Sequence, residues 1–475
     1  MNILFAASEA VPFCKTGGLA DVAGSLPPAL HANGESVAVI LPLYGQIAEK
    51  WRCQMTFHKY IYVDLSWRHE YCGLFSLRYQ GVTWYFVDNE HYFKRDTLYG
   101  AYDDIERFAF FSRAVVALLP HLDVMPDVIH CNDWQTALIS VYLRDDSCRW
   151  DALRRIKTVF TIHNIEYQGR LGSDTVEDLL GLHRGWLESG TIVMDGDINL
   201  LKSAMLCADA VTTVSPTYAA QLHDPAYAHG MEQIVALIGD KMHGVLNGID
   251  TESYDPCCDG AIPAAFSPDD LSGKAACKAA LQQELGLQEQ SHTPLLAMVS
   301  RLVSHKGLDL VQQALSGIMD TGAQLVILGQ GDGQYEDFFR QAQRRYEGRL
   351  CAYIGYSDAL ARRIYAGSDL FLMPSRSEPC GLSQMIAMRY GAVPIVRQTG
   401  GLNDTVRSCQ AGQCDGNGFV FADYRADDLL CVVQQAVHLY RNEAASYTCV
   451  QRVGMTDDFT WTRSARAYQK IYREL

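Results

Sequence analysis

Short, unbroken apolar runs recur along the chain, each ending in polar or glycine-rich residues. Ile3–Ala7 and Val37–Leu41 are two of them. Between them, Ser8–Gly18 predicts a loop, and Leu19–Ala32 predicts a helix that Pro27 and Pro28 must kink or split. Asp127–Cys131, Thr158–Ile162 and Ala210–Val214 repeat the run. Such runs suit strands covered on both faces, as in a parallel sheet. From Pro294 the alternation is regular. Strands are predicted at Leu295–Val299, Gln324–Leu328, Leu350–Ile354, Leu370–Met373 and Ala392–Val396. Helices are predicted between them at Leu308–Met319, Tyr335–Tyr346, Ala359–Ala366 and Leu382–Tyr390. Strands alternating with helices in this way mean βαβ units.

The predicted fold class is therefore α/β, with two Rossmann-like, doubly wound domains facing across a cleft. The chain has 475 residues, beyond the roughly 250–300 at which a single core stops growing. A turn at Asn247-Gly248 marks the boundary and gives domains 1–244 and 245–456. Residues 255–294, rich in Asp, Pro, Gly and Gln, read as a surface excursion. In the tail, 457–475, Trp461, Ala465, Tyr468, Tyr472 and Leu475 fall on one helical face. That face must dock, and we expect the helix to cross back to the first domain.

Composition narrows the partners. Hydrophobic residues are 48%, charged residues 20% and the net charge is −15. Nucleic acid and anionic membrane surfaces need clustered Lys and Arg, so neither is expected as a partner. A small anionic ligand needs only a local cationic pocket. The 15 cysteines show no C-x-x-C pair and no zinc spacing, which reads as reduced, mostly buried thiols in a cytoplasmic protein. No leader pattern and no membrane span is visible.

Ligands of open α/β sheets bind beyond the carboxyl ends of strands, so the residues there carry the reading. After the first strand, Lys15-Thr16-Gly17-Gly18 leads into a helix. Glycines that admit a close backbone approach, a helix N-terminus and a cation suit a phosphate. The plainer reading is a glycine-rich turn with a surface lysine. Arg301 and Lys306 follow the first strand of the second half, also opening a helix, and offer a guanidinium fork and a mobile charge. Gly329-Gln330-Gly331-Asp332-Gly333 misses the dinucleotide spacing and reads as a strand-to-helix turn. Glu378 supplies a carboxylate for a sugar hydroxyl, and Thr399-Gly400-Gly401-Leu402 repeats the glycine device one strand later. Asp133 and His163 end two strands of the first half. No Ser-His-Asp set, zinc pattern or P-loop is visible.

In order, Lys15-Thr16-Gly17-Gly18-Leu19, His163-Asn164-Ile165, Asn247-Gly248-Ile249-Asp250, Ser300-Arg301-Leu302, His305-Lys306-Gly307-Leu308-Asp309, Glu378-Pro379-Cys380-Gly381-Leu382 and Thr399-Gly400-Gly401-Leu402 resemble the bacterial glycogen synthases and plant starch synthases that use ADP-glucose. The resemblance runs from the first strand to the last helix. It implies a GT-B type fold and retaining α-1,4-glucosyl transfer from ADP-glucose to glycogen or a malto-oligosaccharide, with no metal and no cofactor. It puts Lys15, Gly18, Arg301 and Lys306 on the ADP phosphates and Glu378 against the donor glucose. Cys380, Gly381, Leu382 and Ser383 then line the sugar and phosphate pocket. Asp133, His163 and Asn164 lie near donor sugar and acceptor, Asp21 and Asn247 shape the site, and Tyr356 stacks on adenine. The implied catalytic set is Glu378, Arg301, Lys306, His163 and Asp133; the donor set adds Lys15, Gly17, Gly18, Asp21, Asn164, Asn247, Tyr356 and Cys380–Ser383.

Three positions depart from the family pattern. Asn132 and Gln135 stand where histidines are usual, and Ser377 where phenylalanine is common. Competing readings are a UDP-glucose enzyme on the same fold, a PLP-dependent glucan phosphorylase, for which the chain is short, and a non-catalytic glucan-binding protein.

Overall fold

The protein is described by a computed structural model covering residues 1–147, 150–409 and 415–475. Two compact units emerge: Met1–Gly248 with Trp461–Leu475, and Ile249–Thr460.

The first unit is built on a nine-stranded sheet with three further short strands beside it. In chain order its strands are β1 (Asn2–Ala6), β2 (Ser36–Pro42), β3 (Thr56–Leu65), β4 (Arg68–Tyr79), β5 (Val82–Asp88), β6 (Val128–Asn132) and β7 (Lys157–Ile162). There follow β8 (Arg170–Gly172), β9 (Val193–Met194), β10 (Asp197–Asn199), β11 (Ala210–Thr213) and β12 (Met242–Gly244). The large sheet runs β12-β11-β7-β6-β1-β2-β5-β4-β3, while β8-β10-β9 form a small antiparallel sheet. The large sheet is parallel except for β4, which is antiparallel to both β5 and β3. The central strands are the unbroken apolar runs of the sequence, buried on both faces.

The expected split at Pro27 and Pro28 does not occur. Gly18–Ala32 is one helix through both prolines. Two ladder donors are lost, but Leu19, Ala20, Val22, Ala23, Leu26 and Leu30 bury the helix's apolar side, and that packing outweighs the missing bonds. The last helix, Trp461–Glu474, packs beside Gly18–Ala32 with Trp461, Ala465, Tyr468 and Tyr472 buried. The Tyr472 hydroxyl meets Nδ1 of buried His130 at 2.6 Å, and Gln469 donates to Glu35 at 2.7 Å.

The second unit is a six-stranded, all-parallel sheet: β13 (Leu295–Val299), β14 (Gln324–Gly329), β15 (Leu350–Ile354), β16 (Leu370–Met373), β17 (Val393–Arg397) and β18 (Phe419–Phe421). Its order is β15-β14-β13-β16-β17-β18, the Rossmann order, with the direction of winding reversing between β13 and β16. In the first unit the reversal falls between β1 and β6. Both units thus have the predicted α/β class, and Gly329–Gly333 is a strand-to-helix turn.

Residues 255–294 are not merely a surface excursion. They contain helix Ser272–Glu284, which packs on helix Asp358–Gly367. Its lysines are buried because neighbouring helix ends and loops supply their partners. Lys274 donates to the carbonyls of Ala366 at 2.9 Å and Tyr390 at 2.7 Å, and burial lowers its pKa to about 8. Lys278 pairs with Asp369 at 2.6 Å, and Asp369 also accepts from the Leu295 amide at 2.8 Å.

The cysteines also depart from expectation. Twelve are free among the described residues, only six of those are buried, and Cys449 is disulfide-bonded. Spacing alone carries no pairing information. No helix among the described residues is long and apolar enough to cross a membrane.

Lys278→Met removes the cation and leaves the Asp369 carboxylate buried. It should destabilise the second unit by about 3–5 kcal/mol, seen as a lower urea midpoint. Replacing both partners with apolar residues should recover much of the loss.

Candidate active site

The loops that carry the candidate residues follow the strands flanking each reversal of winding. In the first unit, Glu9 and Lys15–Asp21 follow β1, and Asp133 follows β6. Glu9 is 2% exposed. Its carboxylate accepts hydrogen bonds from the Thr16 amide and from Thr16 Oγ1, the latter at 2.7 Å. It therefore caps the turn that opens helix Gly18–Ala32. Burial raises its pKa, and the bonds from Thr16 and Gly17 oppose that rise. Lys15, which is exposed, pairs with the half-buried Asp21 at 2.7 Å.

Asp133 has φ 55° and ψ 178°, a region an L-residue occupies only when its surroundings enforce it. Two bonds do so: its amide donates to Thr161 O at 2.9 Å, and its Oδ1 accepts from the His163 amide at 2.8 Å. Desolvation pushes its pKa up to about 7 against the bonds from His163 and Asn164, and the charge of Glu9 adds to the rise. His163 follows β7, and burial lowers its pKa to about 3, so its ring is neutral. Asn132 fixes the tautomer. Its Nδ2 donates to the carbonyls of Ala6 at 3.0 Å and His130 at 3.3 Å, which turns its Oδ1 toward His163 Nε2 at 2.9 Å. Nε2 must carry the proton, leaving Nδ1 as an acceptor. Asn132 thus has a defined task. Gln135 is buried with Oε1 unpartnered among the described residues. Asn247, near this unit's end, is buried with Oδ1 likewise unpartnered.

In the second unit, Arg301 and Lys306 follow β13, and Glu378 follows β16. Gly307, at φ 74°, opens helix Leu308–Asp320. A Cβ there would fall 2.0 Å from the Pro374 carbonyl, so only glycine lets the two loops touch. The touch brings Lys306 Nζ to both oxygens of Glu378, at 2.9 and 2.7 Å. Ser375 donates to the same carboxylate at 2.9 Å. Glu378 is 6% exposed and Lys306 is largely buried. Arg301 is exposed and makes no salt bridge among the described residues. The Cys380–Ser383 turn is stapled by Gln384, whose Nε2 donates to the carbonyls of Cys380 at 3.2 Å and Gly381 at 2.8 Å. Ser377 lies half-buried beside Glu378. Tyr356 follows β15, two strands from β13, with 70% of its surface exposed.

Each unit thus gathers a distinct set. Lys15, Gly17, Gly18, Asp21, Asp133, His163 and Asn164 share the carboxyl edge of the first sheet. Arg301, Lys306, Glu378 and Cys380–Ser383 share that of the second. Sequence reasoning passed over Glu9, Ser375 and Gln384. Glu9 sits in a loop without periodicity, and Ser375 and Gln384 bond within one irregular turn, to Glu378 and to the carbonyls of Cys380 and Gly381, which residue type alone does not announce. Among the described residues, no three His, Cys, Asp or Glu side chains are grouped to hold a metal ion.

The profile of the starch synthase catalytic domain matches residues 2–236, and that of the glycosyl transferases group 1 matches residues 282–448. The chain is 45% identical to the glycogen synthase of Bacillus cereus (strain Q1), covering 100% of both chains. It is 44% identical to that of Bacillus subtilis (strain 168), covering 100% of this chain and 98% of the other. Among solved structures, the catalytic domain of starch synthase IV from Arabidopsis thaliana, bound to ADP and acarbose, is 32% identical. It superposes with a TM-score of 0.92 over 100% of this chain and 98% of that one. Fold, strand order and likeness over the whole length agree: the chain belongs to the glycogen and starch synthase family of GT-B glycosyltransferases.

Proposed function

We propose that this chain transfers the glucosyl group of ADP-glucose to the non-reducing end of an α-1,4-glucan, glycogen or a malto-oligosaccharide, with retention of configuration. The carrying observation is the Lys306–Glu378 pair beside the exposed Arg301, at the winding reversal of the second sheet. In a chain of net charge −15, these cations make a local site for a diphosphate. The Lys15-Thr16-Gly17-Gly18-Leu19 run and the ADP held by the Arabidopsis relative support ADP over UDP.

The second unit takes the donor. Arg301 presents its fork to the phosphate oxygens, and Lys306 uses one N–H there while holding Glu378 with the others. Tyr356 offers a ring for the adenine. The Glu378 carboxylate, fixed by Lys306 and Ser375, accepts hydrogen bonds from the donor glucose hydroxyls. The first unit presents neutral acceptors: His163 Nδ1 and the Asp133 carboxyl take sugar hydroxyls, and Lys15 with Gly17 and Gly18 adds to the phosphate contacts. As the C1–phosphate oxygen bond breaks, the leaving ADP gains charge, which Arg301 and Lys306 stabilise. The acceptor 4-hydroxyl attacks C1 on the same face, and its proton passes to the departing phosphate oxygen. No metal is needed when fixed cations supply the charge. Twelve free thiols suit a reducing cytoplasm.

Glucose transfer to glycogen should proceed from ADP-glucose in the presence of EDTA and be much weaker from UDP-glucose. Absence of transfer from both donors, with glycogen still bound, would overturn the enzyme reading.

Lys306→Ala should lower kcat/KM by roughly two to three decades, the ~3–4 kcal/mol typical of one charge-stabilising group. Glu378→Gln should lower kcat while ADP affinity holds. Loss of ADP affinity with turnover preserved would make Glu378 a nucleotide ligand instead.

Asp133 also gives a prediction in pH. Its folded pKa of about 7 lies above the ordinary carboxylate value, so the fold disfavours its charge. The penalty is absent below about pH 4, grows as pH rises to 7, and is complete above that. Asp133→Asn, which keeps the carbonyl acceptor, should be more stable than the parent at pH 8 by on the order of 2 kcal/mol. The gap should shrink as pH falls toward 4. Paired urea midpoints check the stability, and transfer rates at pH 8 should fall in the same variant.

A further inference from the structure

The turn after β16 meets the loop after β17 through its carbonyl oxygens. A Cβ on Gly400 would fall 2.0 Å from the Glu378 carbonyl oxygen, and one on Gly401 would fall 2.1 Å from that of Cys380. The Gly401 amide donates to the carbonyls of Glu378 and Pro379, each at 3.1 Å. One fully buried side chain, Gln384, holds the same turn from beneath. It curls back from helix Ser383–Arg389, and its Nε2 donates to Cys380 O, Gly381 O and Thr405 Oγ1 at 3.2, 2.8 and 3.1 Å. Thr405 commits its own proton to Gly401 O at 2.7 Å, so its oxygen accepts from Gln384. The Gln384 amide cannot be reversed, because Oε1 would then face two carbonyl oxygens. Oε1 instead has no partner among the described residues and lies 2.4 Å from where a Cβ of Gly381 would stand.

We propose that Gln384 is a positioning residue for the donor, fixing the peptide planes that turn the Gly381 and Leu382 amides toward its phosphates. The proposal rests on the ADP-glucose reading above. A trans peptide is planar, so a carbonyl and the N–H that follows it point in opposite directions. Gln384 draws Cys380 O and Gly381 O inward, and the N–H groups of Gly381 and Leu382 therefore point outward. Both residues are half-buried at the carboxyl edge, and neither amide is taken by a protein group among the described residues. Successive outward amides suit an oxyanion. Lys306 and Arg301 supply charge from the loop after β13, and the two amides add direction. A side chain is needed for this because Gly381, at φ 70°, is free to exchange one peptide orientation for another. A flipped plane would present a carbonyl oxygen where the phosphate needs a donor. Gln384 removes that alternative, and its link through Thr405 ties the setting to the Thr399-Gly400-Gly401 loop.

The test measures ADP binding by calorimetry at about pH 6 and about pH 8.5, each variant against the parent at the same pH. Gln384→Met keeps the shape and removes the bonds, and should weaken ADP roughly tenfold at both pH values. Gln384→Glu replaces the donating N–H groups with a carboxyl whose pKa burial and two facing carbonyls raise. Protonated, it still donates to the turn; ionised, it repels it. Its ADP affinity should therefore stay near the parent's at the lower pH and fall at least tenfold at the higher. Thr405→Val removes the third bond without adding charge and should show a smaller, pH-independent loss, which keeps an uncharged test should the methionine variant not fold. In transfer assays kcat/KM for ADP-glucose should follow ADP affinity, while KM for maltotriose holds. Parent-like ADP binding in the uncharged variants overturns the proposal, and a loss confined to Gln384→Glu then marks plain charge repulsion. Equal shifts in the maltotriose KM overturn it as well, by placing the effect in the fold at large. A parent that binds no ADP takes away the donor reading and this proposal with it; a parent that binds ADP beside unaffected variants leaves the donor reading standing alone.

Discussion

A helix connecting two parallel strands must cover one face of the sheet, and the right-handed crossover decides which face. To cover both faces, the chain has to begin in the middle of a sheet and wind outward in each direction. The loops on either side of the starting strand then part to opposite faces and leave a crevice at the carboxyl edge. Both units of this chain are subject to that constraint, at β1/β6 and at β13/β16. The residues that matter sit where the constraint opens the space. Lys15 and Asp133 follow one such pair of strands; Lys306 and Glu378 follow the other.

The two crevices differ in electrostatic character, and the difference follows from how each satisfies its buried groups. In the second unit the charges are paired: Glu378 is tolerated in a nearly closed position because Lys306 and Ser375 take its oxygens. Removing either ion would strand the other in low dielectric. In the first unit no cation among the described residues offsets the burial of His163 or Asp133, so desolvation drives both toward their neutral forms, at Asp133 against the bonds from His163 and Asn164. The second edge is therefore built to hold a buried charge pair, and the first, around Asp133 and His163, to offer uncharged hydrogen-bond partners. That is the division a reaction between an anionic donor and a neutral polyol requires.

Much of this was legible in the sequence, and what escaped did so for physical reasons. The parallel core strands declared themselves as apolar runs because both their faces are covered. The hairpin Thr56–Tyr79 has no such signature. Its inward residues Ile61, Val63 and Leu65 alternate with Tyr60, Tyr62 and Asp64, and the outward tyrosines blur the period of two that marks a half-buried strand. Helix Ser272–Glu284 was hidden by its lysines, which look solvated until backbone carbonyls and Asp369 surround them. The proline pair suggested a break that packing overrules. In the candidate site, motif residues such as Lys15, Arg301 and Glu378 could be picked out by type and position after a strand. Glu9, Ser375 and the tautomer-setting Asn132 could not, since the first two act through the local shape of an irregular loop, on Thr16 and Glu378, and Asn132 through His163 on another strand's end.

Asp133 shows why local rules give way at such places. A residue with φ near +55° would ordinarily be glycine or asparagine. Here the bent backbone throws the carboxyl back under the amide of His163, and that amide anchors the end of β7. The same carboxyl is then held where water is scarce and Glu9 is near, which raises its pKa. Strain, burial and like charge all act against the stability of the folded chain at this one residue. Folding alone gains nothing from combining them, whereas a site that must present a poised hydrogen-bonding group to a sugar gains from each.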